Sequence, residues 1–491
     1  MASKSKTLHF ILFPLMAQGH MIPMVDIAQS LAKRNILVTI ITTPINAKRF
    51  EPTFSKAKQL GLKIQIQLLN FPSQEAGLPE GCENIDMLPS LAKEWYSKFF
   101  TATAMLNDQF ESTIEKLNPK PSCIISDMGF PWTVNIAQKF SIPRIIFHGT
   151  CLFSLVCFNK MILHRVRESV ESEFDVFVIP DLPHKIELTK AQLPGPPPPP
   201  DANLTPEARE AIFTEFIKSE KGTYGTIVNS FTELEPDYVT EYSKIKGDKV
   251  WCVGPVSIGN RTSSSTEEHT CLKWLDLQNP GSVIYVCLGS ISRLNTAQMI
   301  ELSLGIEASK RPFIWVARTQ SIEFEEWMIE QGFEERNREN GLVIKGWAPQ
   351  VSILSHSSVG GFFTHCGWNS ILEGVCAGLA MITWPMFAEQ FLNEKLVVQV
   401  LEIGLSVGVK MGIKWGDEDK VGVLVEKEIV EKRINELMDE GEEGEKRRER
   451  ARELGEMAKK ALDDGGSSHL QMTKFIEDIM EYDEKKMNQP I

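Results

Sequence analysis

The sequence lacks the signatures of several large protein classes. None of its nine cysteines belongs to a Cys-x-x-Cys pair, which disfavours a disulfide scaffold and favours a reducing, cytoplasmic location. No Gly-x-Gly-x-x-Gly follows a predicted strand, as a dinucleotide-dependent dehydrogenase would need, and the Gly-x-Ser-x-Gly of a serine hydrolase is absent. No uninterrupted apolar run reaches the roughly 18 residues of a membrane helix, so we expect no membrane span.

Positive charge is scarce as well. The chain has 52 Lys and Arg against 65 Asp and Glu, a net charge of -13, which disfavours a broad surface for nucleic acid or anionic lipid. Its length of 491 residues, with 42% apolar and 24% charged residues, is typical of a globular protein with two domains. The apolar segment 9–16 resembles a signal peptide, but Pro14 interrupts it and no small-residue cleavage site follows, so we interpret it as a strand.

Short apolar runs of strand length alternate with segments of helical periodicity. Residues 9–13 form a continuous apolar run, residues 21–32 have apolar side chains at helical spacing, and residues 36–41 are again typical of a strand. This alternation predicts parallel sheets covered by helices on both faces. A change of composition toward Ser, Thr and Glu at 260–269 predicts a linker between two α/β domains. Further strands are expected at 62–69, 123–126, 144–147, 283–288, 313–317 and 342–345, and late helices at 427–438, 447–462 and 472–480.

Residues 347–390 contain a predicted strand, a tight turn and a helix start. The apolar run 359–364 is followed by His-Cys-Gly-Trp-Asn-Ser and then by apolar residues at helical spacing. A helix N-terminus presents unpaired N–H groups and the positive end of the peptide dipoles, so a phosphate can bind there without a strongly basic protein surface. Gly367 would let the backbone approach this phosphate, and Asn369 and Ser370 would add side-chain donors.

Other residues of the same stretch suit the rest of a nucleotide. Glu373 follows Ser370 by one helical turn and could accept both hydroxyls of a ribose; alternatively, these two residues only form a capping box. The indole of Trp347 could stack on a nucleobase, although a single Trp is also common in a protein core. The polar pair Glu389 and Gln390 closes the stretch.

The stretch from Trp347 to Gln390 resembles, without a gap, the signature box of plant family 1 UDP-glycosyltransferases. The similarity extends over most of the chain and is greatest to the plant subgroup that acts on triterpenoids, flavonoids and hormones. It implies the α/β architecture called GT-B, in which two Rossmann-like domains with parallel sheets face each other across a cleft. The acceptor-binding domain would be 1–255, the UDP-sugar-binding domain 256–465, and a C-terminal helix at 466–491 would pack back on the first domain.

The resemblance also implies the reaction and the residues that bind the donor. We expect a monomer that transfers glucose from UDP-glucose, with inversion, to a hydroxyl of a lipophilic plant metabolite, without a metal or another cofactor. Gln at the last position of the box resembles glucose users, whereas Glu389 stands where the family often has Asp. By position, Trp347, Ala348 and Gln350 would hold uridine, His365, Gly367, Trp368, Asn369 and Ser370 the diphosphate, Glu373 the ribose, and Glu389 and Gln390 the sugar hydroxyls.

Ser290 is a further candidate for a side chain that donates a hydrogen bond to the diphosphate. It follows the predicted strand 283–288 and Gly289, and the equivalent Gly-Ser of the family faces the diphosphate. The alternative is an ordinary turn serine.

Two titratable residues follow predicted strands in the N-terminal half. Ligands of parallel sheets bind beyond the carboxyl ends of the strands. His20 lies there at the start of a helix, whose positive end should disfavour imidazolium and keep a neutral base. If Asp127 accepts the Nδ1 hydrogen of His20, Nε2 stays free to take a proton. Each residue alone could be structural, as a capped histidine or an N-cap aspartate, but the resemblance places both where the family has its catalytic base and its partner.

The remaining polar and proline-rich segments receive simpler interpretations. Asp417 and Asp419 formally match a metal-binding Asp-x-Asp motif, but they lie in a charged surface run, and we predict no metal there. A non-catalytic sugar-nucleotide binding protein would keep the signature box without the base, so His20 discriminates between the two functions. His148 and His356 are interpreted as structural, with an acceptor contact by His148 or Thr150 left open. The acceptor pocket is expected to be lined by the segments 75–95, 128–155 and 180–200, the last of which includes the polyproline loop 193–200.

Overall fold

The computed structural model describes residues 7–90, 92–193, 217–260, 270–318, 321–413 and 417–487. Most of the polyproline segment and most of the predicted linker lie outside these ranges. Among the described residues, no helix is both long enough and apolar enough to cross a bilayer.

Within the described ranges, the first sheet has seven parallel strands. Their order is β3-β2-β1-β4-β5-β8-β9, and strands β1, β4, β5 and β8 are buried along their whole length. Strands that are buried along their whole length require helices on both faces of the sheet. The strands are β1 (His9–Phe13), β2 (Leu37–Thr42), β3 (Ile64–Leu68), β4 (Cys123–Asp127), β5 (Arg144–Phe147), β8 (Gly225–Val228) and β9 (Val250–Cys252), and β6 (Val176–Val178) and β7 (Glu187–Thr189) form a separate hairpin.

In the part of the chain that the structure describes, the second sheet has six parallel strands in the order β12-β11-β10-β13-β14-β15. Strand β10 lies at its centre, beside β13 of the signature stretch, and the carboxyl ends of both strands are therefore at the same edge. The two parallel sheets confirm the predicted α/β class. The strands are β10 (Val283–Cys287), β11 (Phe313–Val316), β12 (Gly341–Ile344), β13 (Val359–Thr364), β14 (Ala380–Thr383) and β15 (Gly404–Ser406).

Helices connect the strands and cover the sheets. Those of the N-terminal half are α1 (Gln18–Lys33), α2 (Pro44–Arg49), α3 (Glu51–Gln59), α4 (Lys93–Ala104), α5 (Asn107–Lys116), α6 (Thr133–Lys139), α7 (Leu152–Leu163), α8 (Val166–Ser169), α9 (Pro236–Lys246) and α10 (Val256–Asn260). Those that follow are α11 (Thr270–Leu275), α12 (Thr296–Ala308), α13 (Ile322–Glu330), α14 (Phe333–Arg336), α15 (Gln350–Leu354), α16 (Trp368–Cys376), α17 (Gln390–Lys395), α18 (Lys427–Met438), α19 (Glu442–Leu462) and α20 (Ser467–Met487).

Helix α20 packs against the first sheet rather than the second. The ring of Phe475 lies 5.5 Å from that of Phe10 in β1 and 4.9 Å from that of Trp251 in β9, measured between centroids. The indole Nε1 of Trp251 donates to Asp478 Oδ2 at 3.0 Å. The last helix therefore ties the end of the chain to the N-terminal half.

Apolar periodicity predicted where the helices and strands lie more accurately than it predicted where they begin and end. Strands β1, β5 and β13 and helix α18 have the predicted bounds. Helix α19 begins at Glu442, five residues before its predicted start, because its first turn is acidic rather than apolar and is stabilised by the helix dipole. Helix α20 is likewise longer at both ends than the apolar pattern indicates.

Candidate active site

His20 and Asp127 come together at the carboxyl edge of the first sheet. Strands β1 and β4 are neighbours, with Phe13 opposite Ser126, so the segments that leave the two strand ends start side by side. His20 Nδ1 lies 2.7 Å from Asp127 Oδ2. The Asp127 side chain is fully buried, whereas 26% of the His20 side chain is exposed. Because the carboxylate can only accept, the proton of a neutral His20 is on Nδ1, and Nε2 is a free acceptor.

Asp127 is held by a second hydrogen bond. The backbone N–H of Gly129 donates to Asp127 Oδ1 at 2.9 Å, so the two carboxylate oxygens have different partners. The alternative interpretation of Asp127 as an N-cap is wrong, because the next helix, α6, begins only at Thr133. Within the described parts of the chain, no group hydrogen-bonds His20 Nε2.

The pKa of His20 departs from the sequence-based prediction. Burial lowers this pKa. The opposite effect is larger and comes from the charge of Asp127, the hydrogen bond to Asp127 and the charge of Glu389, so the pKa of His20 lies above the usual 6.5. The prediction that the helix N-terminus keeps the pKa low is therefore wrong. Two carboxylates outweigh the partial charge of a helix end. His20 is thus a stronger base than an isolated histidine, but it loses its proton only at a higher pH.

Gly149 forms the wall behind the His20 ring. Its φ is +71°, and a methyl group at this position would lie 2.9 Å from His20 Cε1 and 3.0 Å from Nδ1. Both the backbone conformation and the close ring contact require glycine. Gly149 was not predicted from the sequence, although a glycine two residues after β5, at the same sheet edge, was the available signal.

The signature turn is built around a half-buried histidine ring. Cys366 has a φ of 67°, and Gly367 is the N-cap residue of α16. A methyl group at Gly367 would lie 2.4 Å from His365 Nε2, and one at Gly289 would lie 2.6 Å from the same atom. The imidazole is therefore enclosed between two glycine backbones. Burial lowers the pKa of His365 to about 4, so the ring is neutral at physiological pH and can donate a hydrogen bond from only one nitrogen.

Ser370 and Glu373 do not form a capping box. Helix α16 has no side-chain cap, so that alternative is wrong. Instead, Gln350 Nε2 donates to Ser370 Oγ at 3.1 Å and to Glu373 Oε2 at 2.8 Å, and Tyr285 Oη donates to Gln350 Oε1 at 3.3 Å. One hydrogen-bonded cluster thus joins a residue predicted to bind uridine, one predicted to bind the diphosphate and one predicted to bind the ribose, namely Gln350, Ser370 and Glu373.

The two tryptophans of the signature stretch occupy different environments. Trp347 is 67% exposed, so the alternative of a core tryptophan is wrong, and the neighbouring Ala348 is buried. Trp368 is buried, and its Nε1 donates to the backbone oxygen of Asn229 in the N-terminal half at 2.8 Å. Because the indole N–H of Trp368 is already used, this residue can donate to an anion only through its backbone N–H at the start of the helix.

Asn369 joins the signature turn to the segment that carries the base. Its Nδ2 donates to the backbone oxygen of Gly19 at 2.8 Å. Because Gly19 precedes His20, the N-terminus of α16 and that of α1 meet across the cleft. Ser290 is exposed just beyond β10, at the same edge of the second sheet.

Glu389 and Gln390 lie at the start of α17. Burial raises the pKa of the partly exposed Glu389, and the nearby His20 opposes this shift, which shows that the carboxylate and the base are close. Gln390 is buried, and its Oε1 accepts from the backbone N–H groups of Met386 at 2.9 Å and Phe387 at 3.2 Å. Gln390 can therefore donate hydrogen bonds to a ligand from its Nε2.

Tyr96 is a further residue of the cleft, and it lies just outside the segment 75–95 predicted to line the acceptor pocket. Burial raises the pKa of its phenol, and the charges of Asp127 and Glu389 raise it further, so Tyr96 lies near both carboxylates. Tyr96 was not predicted from the sequence, because an aromatic residue on a helix is usually part of the core.

The residues interpreted as structural have partners outside this cluster. His148 is buried with its Nε2 3.3 Å from Glu220 Oε1, and His356 Nε2 lies 3.1 Å from Asp276 Oδ1. Asp417 forms an ion pair with Lys420 at 2.7 Å, and the side chain of Asp419 is outside the described residues. Where the structure is described, no group of three or more His, Cys, Asp or Glu side chains could hold a metal ion.

Comparison with known proteins identifies relatives of the whole chain. Residues 252–411 match the family model of UDP-glucoronosyl and UDP-glucosyl transferases. The chain is 49% identical to UDP-glycosyltransferase 73C6 of Arabidopsis thaliana over 486 residues, which covers 96% of this chain and 97% of that protein. It is also 49% identical to UDP-glycosyltransferase 73C11 of Barbarea vulgaris over 490 residues, 97% of each chain.

Solved structures resemble the fold over its full length. The crystal structure of Glycyrrhiza uralensis UGT73P12 complexed with glycyrrhetinic acid 3-O-monoglucuronide matches with a TM-score of 0.89 and 34% identity over 98% of both chains. Medicago truncatula UGT71G1 complexed with UDP-glucose matches with a TM-score of 0.75 and 28% identity, over 98% of this chain and all of that chain. The GT-B architecture is thereby confirmed.

Proposed function

Because the chain belongs to the plant family 1 UDP-glycosyltransferases, we propose that it transfers glucose from UDP-glucose, with inversion, to a hydroxyl of a triterpenoid, flavonoid or hormone. That it is a glycosyltransferase, with a UDP-sugar donor and a small-molecule acceptor, follows from relatives that are about half identical over nearly the whole chain. The glucosyl donor, the acceptor class and the individual residue roles are the proposal.

The observation that supports the proposal best is the position of the base opposite the signature turn. His20 is paired with the buried Asp127, and the residue before it is hydrogen-bonded to Asn369. A nucleotide whose diphosphate lies at the start of α16 would place its sugar toward His20. The indole of Trp347, which is mostly exposed, would stack on the uracil.

The reaction would proceed in one displacement. His20 Nε2 removes the proton of the acceptor hydroxyl while the oxygen attacks C1 of UDP-α-glucose from the face opposite UDP. The new C1–O bond forms as the bond from C1 to the diphosphate oxygen breaks, and the products are a β-glucoside and UDP. Asp127 stabilises the imidazolium that forms, as a buried carboxylate does beside any catalytic histidine.

Donors of the protein would stabilise the charge of the leaving group. The backbone N–H groups at the start of α16 and the hydroxyl of Ser370 in its first turn would donate to the diphosphate, and the neutral His365 would add a donor without a charge. This arrangement supports a reaction without a metal. We also propose a monomer that acts in the cytoplasm.

Acceptors bound to structural relatives support a lipophilic substrate. Solved structures of this fold are complexed with glycyrrhetinic acid 3-O-monoglucuronide, with pterostilbene and with quercetin. The cleft beside His20 is bordered by Tyr96 and Gly149. Aromatic and backbone surfaces of this kind suit a flat or polycyclic acceptor.

Replacing the base tests the proposal. We expect His20→Ala to lower turnover of UDP-glucose by at least about 100-fold, because general base catalysis contributes that much, while UDP affinity changes less than about twofold. Turnover is measured by mass spectrometry of the glycoside, UDP affinity by calorimetry, and the anomeric configuration by NMR. His164→Ala is the matched control, since His164 forms a surface pair with Asp181 at 2.8 Å. Wild-type turnover by His20→Ala would refute the role of the base.

A further inference from the structure

The side-chain amide of Asn393 forms hydrogen bonds to both halves of the molecule, and these bonds use all of its donors and acceptors. It lies in α17 and is fully buried. Its Oδ1 accepts from Ser154 Oγ at 2.9 Å and from Cys151 Sγ at 3.3 Å, both at the start of α7. Its Nδ2 donates to the backbone oxygen of Cys366 at 2.9 Å and to Glu389 Oε1 at 3.3 Å. An amide has two donor hydrogens and two acceptor lone pairs, and all four are used.

The chemistry of the partners determines the orientation of this amide. The carbonyl of Cys366 and the carboxylate of Glu389 can only accept, so both must face Nδ2. The hydroxyl of Ser154 then donates to Oδ1. Turning the amide over would bring its oxygen against two other oxygens and would leave these buried hydrogen bonds unmade, which is unfavourable inside a protein. Ser154 of the N-terminal half therefore helps to orient the group that holds Glu389.

Both partners on the donor side of Asn393 belong to the proposed UDP-sugar site. Cys366 immediately precedes Gly367, the N-cap of α16, and has a left-handed φ of 67°. Glu389 is the carboxylate proposed to accept sugar hydroxyls. Burial raises the pKa of Glu389, and the hydrogen bond from Asn393 lowers it, so Asn393 favours the ionised carboxylate that a sugar hydroxyl needs as an acceptor.

We propose that Asn393 and Ser154 are positioning residues for donor-sugar selectivity, because they hold the Glu389 carboxylate at one distance from the diphosphate turn. The inference rests on the proposed function of the site. Discrimination between two epimeric sugars depends on a single hydroxyl, and a carboxylate displaced by a fraction of an ångström can no longer distinguish its two positions. The N-terminal half, which carries the base, thereby also contributes to recognition of the donor.

Two substitutions test this inference. Ser154→Ala removes one hydroxyl from the N-terminal half, and we expect the ratio of kcat/KM for UDP-glucose to that for UDP-galactose to fall by about three- to tenfold, with UDP affinity unchanged within about twofold. Asn393→Asp keeps the acceptors for Ser154 and Cys151 but loses both donors and adds a charge beside Glu389. We expect it to lower the same ratio by more than about tenfold, mainly through a higher KM for UDP-glucose.

The control and the ratio separate positioning from general damage. Ser303→Ala removes an equally buried hydroxyl, which donates to Met299 O at 2.7 Å within α12, and we expect it to leave the ratio unchanged. A variant that is only less well folded loses activity with both donors equally. An unaltered ratio in Ser154→Ala would overturn this inference alone. Wild-type protein that transfers sugar from neither nucleotide would overturn the proposed function as well.

Discussion

At the scale of single residues, the charge around His20 differs from that around most histidines. Asp127 holds its Nδ1 at 2.7 Å, and Glu389 approaches from the other half of the molecule. Both carboxylates raise the pKa of His20 against the effect of burial. A raised pKa makes the neutral imidazole a better proton acceptor, but the fraction of neutral imidazole falls at acidic pH. The activity of the enzyme should therefore depend on pH around and above 6.5, the usual pKa of histidine.

Asp127→Asn should shift this dependence. The substitution removes the largest positive contribution to the pKa of His20, so the acid limb of kcat/KM should move to lower pH than in the wild type. The rate at the optimum should fall by about 100-fold, because the amide no longer stabilises the imidazolium. The measurement is kcat/KM from pH 5 to 9.

A second His–Asp pair serves as the control for this experiment. Asp181→Asn removes the partner of His164 on the surface and should leave the profile unchanged. An Asp127→Asn profile whose acid limb coincides with that of the wild type would refute the coupling between these two residues.

At the scale of the elements, the donor site depends on how β13 turns into α16. The turn encloses the His365 ring between Gly289, after β10, and Gly367, at the helix N-cap. Such close packing is possible only because neither residue has a side chain. The helix start can then approach the ring and present its backbone N–H groups to an anion.

Gly367→Ala should disturb the turn without unfolding the protein. Gly367 has a φ of -63° and a ψ of 137°, which alanine adopts easily, so the effect comes from the added methyl group, 2.4 Å from His365 Nε2. The ring has little room to move, because it is also in close contact with Gly289, where a methyl group would lie 2.6 Å from the same nitrogen. We expect UDP affinity, measured by calorimetry, to fall at least about tenfold with little change in melting temperature.

Gly346→Ala provides the matched control, since a methyl group at that position would have nothing within 4 Å. It should bind UDP as the wild type does. Wild-type affinity in Gly367→Ala would show that the turn tolerates a side chain and that the enclosed ring is not important for nucleotide binding.

At the scale of the whole molecule, the start of α7 connects the two halves. Its Ser154 contacts Asn393 in the C-terminal half, and its first backbone N–H groups donate to Glu235, at 3.1 Å from Leu152 and 2.7 Å from Phe153. The Glu235 carboxyl is almost fully buried, and burial raises its pKa to about 7 despite these hydrogen bonds.

The stability of the protein should therefore decrease as pH rises through this range. Between about pH 4.5 and 7 the unfolded chain has released a proton that the folded Glu235 still holds, so the free energy of unfolding falls by about 3 kcal/mol in total. Glu235→Gln removes this titration. We expect its melting temperature to equal that of the wild type near pH 5 and to exceed it at pH 8. Parallel melting curves for the two proteins across this range would contradict the prediction.

The elements and the chemistry-bearing residue types followed from the sequence because both are local properties. Apolar periodicity located β1, β13 and α18, and the histidine after β1 and the aspartate at the end of β4 were identifiable as residues at strand ends. The long signature stretch indicated the family, which the relatives confirm. These predictions need only the order of residues along a few turns of chain.

The tertiary structure decided the geometry in which these residues meet, the contacts between the two halves, and the charge around the base. His20 and Asp127 are 107 residues apart, Ser154 and Asn393 are 239 apart, and Gly19 and Asn369 are 350 apart. Their contacts depend on the order of strands in each sheet and on the packing of one half against the other. The sign of the pKa shift at His20 depends on two carboxylates brought in by that packing, and the sequence around His20 shows neither of them.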